Sequence, residues 1–228
     1  MNIGIIGTGN MGRALGILWA EQGHNITFGA RSIDKAERAA TLVGKNAKAA
    51  SNRQAAEVSE VLLYTARGIH PEAVVGAGEV LKEKVLIDCN NSDVPKNFVY
   101  PAIEESLAEI LQKQVPEAKV VKSFNTIAME VFEHCPDNIK SYQISNFVCG
   151  DNEEARNLVR QLSEEIGFDT IDCGELVRAR LLEQQADFIR FLLISGTRPG
   201  AAFSTPKISP VNTPRLGGKE ATKLGELK

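Results

Sequence analysis

Residues 1–12 read MNIGIIGTGNMG, and this stretch decides the fold of the 228-residue chain. The apolar run at residues 3–6 predicts a buried strand, and residues 10–22 carry apolar side chains at helical spacing. A G-x-G-x-x-G loop at residues 7–12 joins the two. The order of strand, glycine loop and helix is the one that a dinucleotide-binding βαβ unit requires.

The glycine loop predicts a pyrophosphate site. Gly7 permits the tight turn, Gly9 lets the backbone approach the pyrophosphate, and Gly12 lets the helix pack closely on the strand. Free N–H groups at the helix N-terminus attract the anionic phosphates. A glycine-rich turn without a ligand is the alternative that the spacing alone leaves open.

The same alternation continues along the chain and predicts an α/β fold with one doubly wound, mostly parallel sheet of about eight strands, a Rossmann fold. The predicted strands span residues 3–6, 25–29, 47–50, 60–65, 85–88, 119–123, 142–149 and 169–171. The predicted helices span residues 10–22, 33–43, 51–58, 71–81, 100–114, 127–133, 153–166 and 175–194.

Residues 196–228 differ in composition from the rest of the chain. They are rich in proline and glycine, and their basic residues outnumber their acidic ones. Such a segment buries too little apolar surface to fold alone. We therefore expect a domain at residues 1–195 and a tail at 196–228. The tail is either irregular or an arm on the body or on a second copy in a homodimer, anchored by Phe203, Ile208 and Leu216.

Composition narrows the class of protein. A net charge of −3 and a charged fraction of 24% give no general attraction to nucleic acid or to a membrane surface. No apolar run is long enough to span a bilayer, and the chain opens directly on a strand. The four cysteines are widely spaced without a C-x-x-C pair, so we expect reduced thiols, no metal site and a cytoplasmic protein.

The end of the predicted second strand indicates which dinucleotide is bound. An NAD site usually places a carboxylate there for the ribose hydroxyls. Here the chain has Ala30, Arg31 and Ser32, with Lys35 one turn into the next helix. A guanidinium, a hydroxyl and a second cation suit a 2′-phosphate, so the pattern predicts NADP. Solvated surface charges are the alternative.

The nicotinamide is expected beyond the carboxyl ends of the central strands. The loops there begin with Thr65, Ala66 and Arg67 after one strand, and contain Asn90 and Asn125 after the next two. Both asparagines suit the carboxamide, although asparagine also favours such turns for structural reasons.

No catalytic residue is predicted. His70 is the one histidine in a cofactor-side loop, and no Ser-His-Asp or metal-ligand cluster is visible in the sequence. Hydride transfer between two cofactors needs neither, because the chemistry lies in the cofactors and the protein supplies proximity and stacking.

Six stretches carry a resemblance to a known family: IGIIGTGNMG at 3–12, FGARS at 28–32, IDCNN at 87–91, VVKSFNTI at 120–127, VCGD at 148–151 and DCGEL at 172–176. The chain resembles the NADPH-dependent oxidoreductases related to deazaflavin (coenzyme F420)-dependent NADP reductase. It is also similar to the cytosolic domain of the ferric reductases of the six-transmembrane epithelial antigen of prostate group. Both likenesses cover residues 1–195.

The resemblance implies an NADP(H) site and hydride exchange with a flavin or deazaflavin. By this resemblance the pyrophosphate is bound by Thr8, Gly9, Asn10 and Met11. The 2′-phosphate is bound by Arg31, Ser32 and Lys35, and the nicotinamide lies beside Asn90 and Asn125. Arg67 matches a basic residue of the ferric-reductase branch.

Three departures from the family leave the acceptor open. Asn91 stands where relatives often have proline, Ala30 replaces a common serine, and the chain lacks a glycine-rich, apolar end. The main hypothesis is an NADPH-dependent oxidoreductase that passes hydride to a planar, flavin- or deazaflavin-like small molecule. The alternatives are a soluble ferric or flavin reductase and a non-catalytic NADP-binding regulatory protein.

Overall fold

The computed structural model describes residues 1–44, 46–76, 78–196 and 201–206. Two of the predicted tail anchors, Ile208 and Leu216, lie outside these ranges. Among the described residues, no helix has both the length and the apolar content that crossing a lipid bilayer demands.

Six parallel strands form the central sheet, and they confirm the predicted Rossmann fold. They are β1 (Asn2–Ile6), β2 (Asn25–Ala30), β3 (Ala47–Ser51), β4 (Val61–Tyr64), β5 (Val85–Asp88) and β6 (Lys119–Lys122). Their order in the sheet is β3-β2-β1-β4-β5-β6, which is the order of a dinucleotide-binding sheet.

The last two predicted strands form a separate parallel pair. They are β7 (Ser145–Val148) and β8 (Asp169–Asp172). An isolated antiparallel bridge between Lys122 and Cys149 joins this pair to the edge of the main sheet. The eight strands are therefore divided between sheets of six and two strands.

Helices cover both faces of the sheet. They are α1 (Asn10–Glu21), α2 (Ile33–Val43), α3 (Asn52–Val58), α4 (Pro71–Val75), α5 (Leu107–Gln114), α6 (Pro136–Ser141), α7 (Glu153–Glu164) and α8 (Ala179–Ile194). Short 3-10 helices lie at Gly78–Leu81, Met129–Glu133 and Leu176–Arg178.

The helix predicted over 127–133 is a 3-10 helix that begins at Met129, and the one predicted over 175–194 becomes an α-helix only at Ala179. Two other predicted helices are shortened for a visible local reason. The helix predicted over 100–114 begins at Leu107, because Ser106 and Glu109 form a capping box that fixes its start. The helix predicted over 71–81 ends at Val75, because Gly76 adopts a left-handed conformation with a φ of 85°.

Helix α6 was not predicted from the sequence. It begins on Pro136, a residue that suits the first helical position because its N–H group would have no partner there. The strand predicted over 142–149 begins only at Ser145, after a turn in which Gln143 has a φ of 52°.

Strand β1 is buried on both faces and separates two apolar clusters. Ile5 belongs to one cluster together with Trp19 of α1, and Ile6 belongs to the other together with Leu182 of α8. The indole N–H of Trp19 donates a hydrogen bond to the carbonyl of Leu162 in α7 at 3.0 Å. This bond links α1, which follows from the glycine loop, to α7, the helix that connects the two strands of the smaller sheet.

A buried polar group supports the turn after β6. Phe124 has a left-handed φ of 61°, and its N–H donates to the side-chain oxygen of Asn146 at 3.0 Å. The amide nitrogen of Asn146 donates to the hydroxyls of Ser123 and Ser163, both at 2.8 Å. Asn146 therefore holds the backbone conformation that sets the position of Asn125.

Residues 201–206 lie against the body of the protein. The N–H of Ser145 donates to the carbonyl of Phe203 at 2.8 Å, and the ring of Phe203 stacks on Phe188 of α8. This part of the predicted tail thus contacts its own chain. The domain boundary at residue 195 stays a prediction.

Replacing Asn146 with alanine should lower the free energy of unfolding by about 2–3 kcal/mol, because the buried N–H of Phe124 loses its acceptor and the hydroxyls of Ser123 and Ser163 each lose a donor. Urea unfolding followed by circular dichroism measures the change. Asn138→Ala, at an exposed position of α6, is the matched control and should stay within about 0.5 kcal/mol of the parent. Equal transition midpoints for the two variants would contradict this role of Asn146.

Candidate dinucleotide-binding site

A cavity of about 670 Å³ lies at the carboxyl edge of the sheet, where the strand order reverses between β1 and β4. Ligands of doubly wound folds bind in this crevice. Nine predicted site residues line it: Gly7, Gly9, Asn10, Met11, Gly12, Thr65, Ala66, Arg67 and Asn90.

The glycines have the geometry that the loop needs. Gly7 has a φ of 115°, and a Cβ there would lie 2.1 Å from the hydroxyl of Thr65. A Cβ on Gly12 would lie 2.8 Å from the carbonyl oxygen of Gly7. A Cβ on Gly9 would meet no heavy atom within 4 Å, so this position faces open space. Gly7 and Gly12 are thus required by packing, whereas Gly9 leaves room for a ligand.

The N-terminus of α1 is suited to bind an anion. Its N-cap residue is Gly9, which has no side chain to cap the helix, and the first turn contains no acidic residue. The first N–H groups of a helix lack partners within the helix and carry partial positive charge. A pyrophosphate over Gly9 supplies the acceptors that this helix start lacks.

A second cavity, of about 640 Å³, shares Gly9 with the first and extends towards α2. The two cavities together are called the cleft. Thr8 and Lys35, both predicted, line it, and so do Arg13 and Arg38, which were not predicted. Arg13 donates to the carbonyl of Thr8 at 3.0 Å. Arg38 follows Lys35 by three residues, so helical spacing alone could have placed both on one face of α2.

Arg31 and Ser32 lie between the end of β2 and the start of α2. Ser32 is the N-cap of α2, but its side chain forms no capping hydrogen bond. Arg31 is exposed and makes no hydrogen bond or ion pair with any residue that the structure describes. Neither residue lines the two cavities. The guanidinium of Arg31 and the hydroxyl of Ser32 are thus available to bind a ligand close to the side chain of Lys35.

Two arginines hold the loop after β5. Arg67 donates to the carbonyl of Asn91 at 2.9 Å and pairs with Asp93 at 2.6 Å. Arg190 of α8 donates to the carbonyl of Ser92. Arg190 was not predicted, because it lies far along the chain from the loop after β5 and reaches the cleft only through tertiary packing. The arginines therefore fix the wall that Asn91 contributes to the first cavity.

Asn90 lies at the surface of the cavity, whereas Asn125 is buried behind it. Asn90 lines the cavity as predicted, but Asn125 is 5% exposed and lies behind Asn91. Asn125 donates to the side-chain oxygen of Asn91 and to the carbonyl of Leu182, both at 3.0 Å. The side-chain nitrogen of Asn91 donates back to the carbonyl of Asn125 at 2.8 Å. In this structure Asn125 supports the wall of the cleft and is not part of its surface.

The cleft offers little acid–base chemistry. Cys89 lines it, but burial and the neighbouring Asp88 charge raise the pKa of the thiol to about 12, so it remains protonated. His70 caps α4, where its Nδ1 accepts from the N–H of Glu72 at 3.3 Å, and it does not line the cavity. Among the described residues, no histidine, aspartate or glutamate lines either cavity.

The sheet order, the glycine turn and the uncapped start of α1 define a Rossmann-type dinucleotide-binding protein. The family described as "NADP oxidoreductase coenzyme F420-dependent" matches residues 2–92. The F420-dependent NADP reductase of Methanocaldococcus jannaschii is 30% identical over 201 residues, which cover 80% of this chain and 88% of that protein. The chain belongs to this family and is an NADP-dependent oxidoreductase.

Other relatives are longer or more distant. The metalloreductase STEAP3 of Rattus norvegicus is 26% identical over 181 residues, or 79% of this chain but 35% of that protein. The chain thus spans about a third of this relative's length. A crystal structure from Arthrobacter sp. FB24, described provisionally as an F420-dependent NADP reductase, has a TM-score of 0.76 and 24% identity. It covers 91% of this chain and 100% of that one, which shows a shared fold.

Two alanine substitutions should separate packing from ligand binding. Gly12→Ala should lower the thermal unfolding midpoint by several degrees, because its Cβ meets the Gly7 carbonyl oxygen. Gly9→Ala should leave the midpoint within about a degree of the parent, because its Cβ lies in open space, yet weaken NADPH binding. Calorimetric scans and equilibrium titrations measure these quantities. A Gly9→Ala variant with undiminished NADPH affinity would show that the pyrophosphate does not approach this residue.

Proposed function

We propose that the protein transfers hydride between NADP(H) and a planar, flavin- or deazaflavin-like acceptor. The observation that carries this proposal is the polarity of the cleft. One end is lined by the cations Arg13, Lys35 and Arg38, whereas the two guanidinium groups that line the other end, those of Arg67 and Arg190, are each paired with a carboxylate. The cationic end suits the 2′-phosphate. The other end has no histidine, aspartate or glutamate among the described residues that line it, which suits a reaction whose chemistry lies in the cofactors.

The cofactor lies along the cleft from α2 to the loop after β5. The glycine loop, residues 7–12, holds the pyrophosphate against the start of α1. Arg31, Ser32 and Lys35 hold the 2′-phosphate, and Arg38 adds a further guanidinium. The nicotinamide lies on Thr65, Ala66, Arg67 and Asn90, with Asn125 as a support through Asn91.

An aromatic cavity beside the cleft supports a planar acceptor. It has a volume of about 430 Å³, and its lining includes Phe98, Tyr100, Phe188 and Phe191. Phe98 and Phe191 meet edge to face with ring centroids 5.9 Å apart. Aromatic walls of this kind bind flat rings by stacking.

The aromatic cavity and the cleft share a wall. Asp187 lines the aromatic cavity, Arg190 lines the cleft, and the two side chains form an ion pair. Hydride transfer requires the donor and acceptor rings to approach to about 3–3.5 Å, so the acceptor must reach over this wall. The name of the Methanocaldococcus jannaschii relative favours a deazaflavin, and that of STEAP3 favours a metal reductase.

We also propose a cytoplasmic location, which the four free cysteines support. The homodimer through the tail stays a prediction. Of its three expected anchors, Phe203 lies in the described part of the chain, and it stacks on Phe188 of the same chain.

The acceptor is identified by steady-state oxidation of NADPH with a free flavin, a deazaflavin and a quinone as alternative substrates. We expect turnover with a flavin or a deazaflavin, and much slower turnover when NADH replaces NADPH. Ferric iron should be reduced only when a diffusible flavin is present, because iron accepts single electrons. Tight NADPH binding without turnover with any of these acceptors would contradict the enzymatic proposal.

The variants Arg31→Ala and Arg38→Ala should each weaken NADPH binding by about tenfold to a hundredfold, because charged hydrogen bonds contribute about 1.5–3 kcal/mol. NADH binding should change much less, and added salt should narrow the difference. Isothermal titration calorimetry measures both affinities.

Arg53→Ala is the matched control for these arginine variants. Arg53 is exposed on α3, pairs with Glu57 at 2.8 Å and does not line either cavity of the cleft. Its loss should leave both affinities unchanged. Equal losses of NADPH and NADH affinity in the Arg31 and Arg38 variants would mean that these residues do not bind the 2′-phosphate.

A further inference from the structure

A buried charge cluster lies directly behind the nicotinamide end of the cleft. Lys122, at the end of β6, is fully buried, and its ammonium donates to Asp88 at 2.8 Å and to Glu183 at 2.7 Å. The same ammonium donates to the backbone carbonyl of Asn90. The cluster of Lys122, Asp88 and Glu183 therefore joins two strand ends, helix α8 and a residue that lines the cleft.

The lysine of the cluster is charged. Burial alone would lower the pKa of Lys122, but the two carboxylates beside it raise that pKa above its ordinary value, so the ammonium keeps its proton. One ammonium group then faces two carboxyl groups. Buried ion clusters of this kind often add little to stability compared with apolar packing of similar volume. The contacts of the cluster with Asn90 therefore point to positioning rather than to stability.

Asp88 fixes the orientation of the Asn90 side chain. The amide nitrogen of Asn90 donates to Asp88 at 2.7 Å and to the carbonyl of Tyr64 at 2.9 Å. An ionised carboxylate only accepts hydrogen bonds, so the nitrogen of Asn90, and not its oxygen, must face Asp88. Both N–H groups of this amide are thereby used, and its Oδ1 remains as the acceptor for a ligand in the cleft.

On the basis of the function proposed above, we propose that Lys122 is a positioning residue for the nicotinamide. Its ammonium holds the Asp88 side chain and the Asn90 carbonyl in place, so that the Asn90 Oδ1 accepts a hydrogen bond from the NH₂ of the nicotinamide carboxamide. Glu183 anchors the cluster, because its carboxylate also accepts from the N–H groups of Leu107 and Ala108 at the start of α5.

The test compares three full-length proteins: the wild type, Glu183→Gln and the double variant Lys122→Met/Glu183→Gln. The single change Lys122→Met would leave two buried carboxylates unpaired and endanger folding. The double variant leaves one buried carboxylate, and its difference from Glu183→Gln isolates the loss of Lys122.

The ligands are NADP⁺, its 3-acetylpyridine analogue and adenosine 2′,5′-bisphosphate. The analogue carries a methyl ketone and lacks the carboxamide N–H donor, whereas the bisphosphate lacks the nicotinamide half altogether. Wild type and Glu183→Gln should bind NADP⁺ about tenfold more tightly than the analogue. In the double variant this preference should fall below about threefold, while the bisphosphate affinity should stay within about twofold.

Two results with the double variant would overturn the proposal: a tenfold preference that persists, or an equal loss of affinity for all three ligands, as a structural role predicts. A wild type without the preference would overturn it as well. A wild type that binds neither NADP⁺ nor the bisphosphate would instead refute the proposed function. If the double variant does not fold, Asp88→Asn removes the carboxylate that orients the Asn90 amide and should show the same loss of preference.

Discussion

The close contact between the end of β1 and the start of α1 is the constraint on which the rest of the structure depends. A side chain at Gly7 would meet the Thr65 hydroxyl, and one at Gly12 would meet the Gly7 carbonyl. Because helix and strand pack at backbone distance, the free N–H groups of α1 point over the edge of the sheet. The same contact places the loops after β4 and β5 beside this helix start, and so creates the cleft.

The fold and the position of the glycine loop at the cleft were predictable because their signals are local. The glycine loop occupies a few adjacent residues, and the alternation of strands and helices can be followed directly along the chain. The assignment of Arg31 and Lys35 to the 2′-phosphate stays a prediction. Arg190 and Lys122 were not predictable as parts of this region, because each reaches it through tertiary packing with partners more than thirty residues away. The buried position of Asn125 behind Asn91 also depends on a hydrogen bond to α8, and local sequence patterns do not predict where that helix packs.

The two ends of the cleft differ in electrostatic character. Arg13, Lys35 and Arg38 make the α2 end positive, whereas at the other end Arg67 and Arg190 are paired with carboxylates, and two further carboxyl groups face the single buried ammonium of Lys122. NADP⁺ has the complementary polarity, with phosphates at one end and a cationic ring at the other. Such complementarity orients a ligand as well as binding it.

The central claim is direct hydride transfer from NADPH, and isotope transfer to a 5-deazaflavin tests it most directly. NADPH deuterated at the nicotinamide C4 is mixed with the enzyme and the deazaflavin in ordinary water, and the product is analysed by NMR. Reduced deazaflavin holds the transferred hydrogen on carbon C5, where it does not exchange with solvent. The account predicts deuterium at C5 from one face of the nicotinamide. Solvent hydrogen at C5, or no reduction, would contradict it.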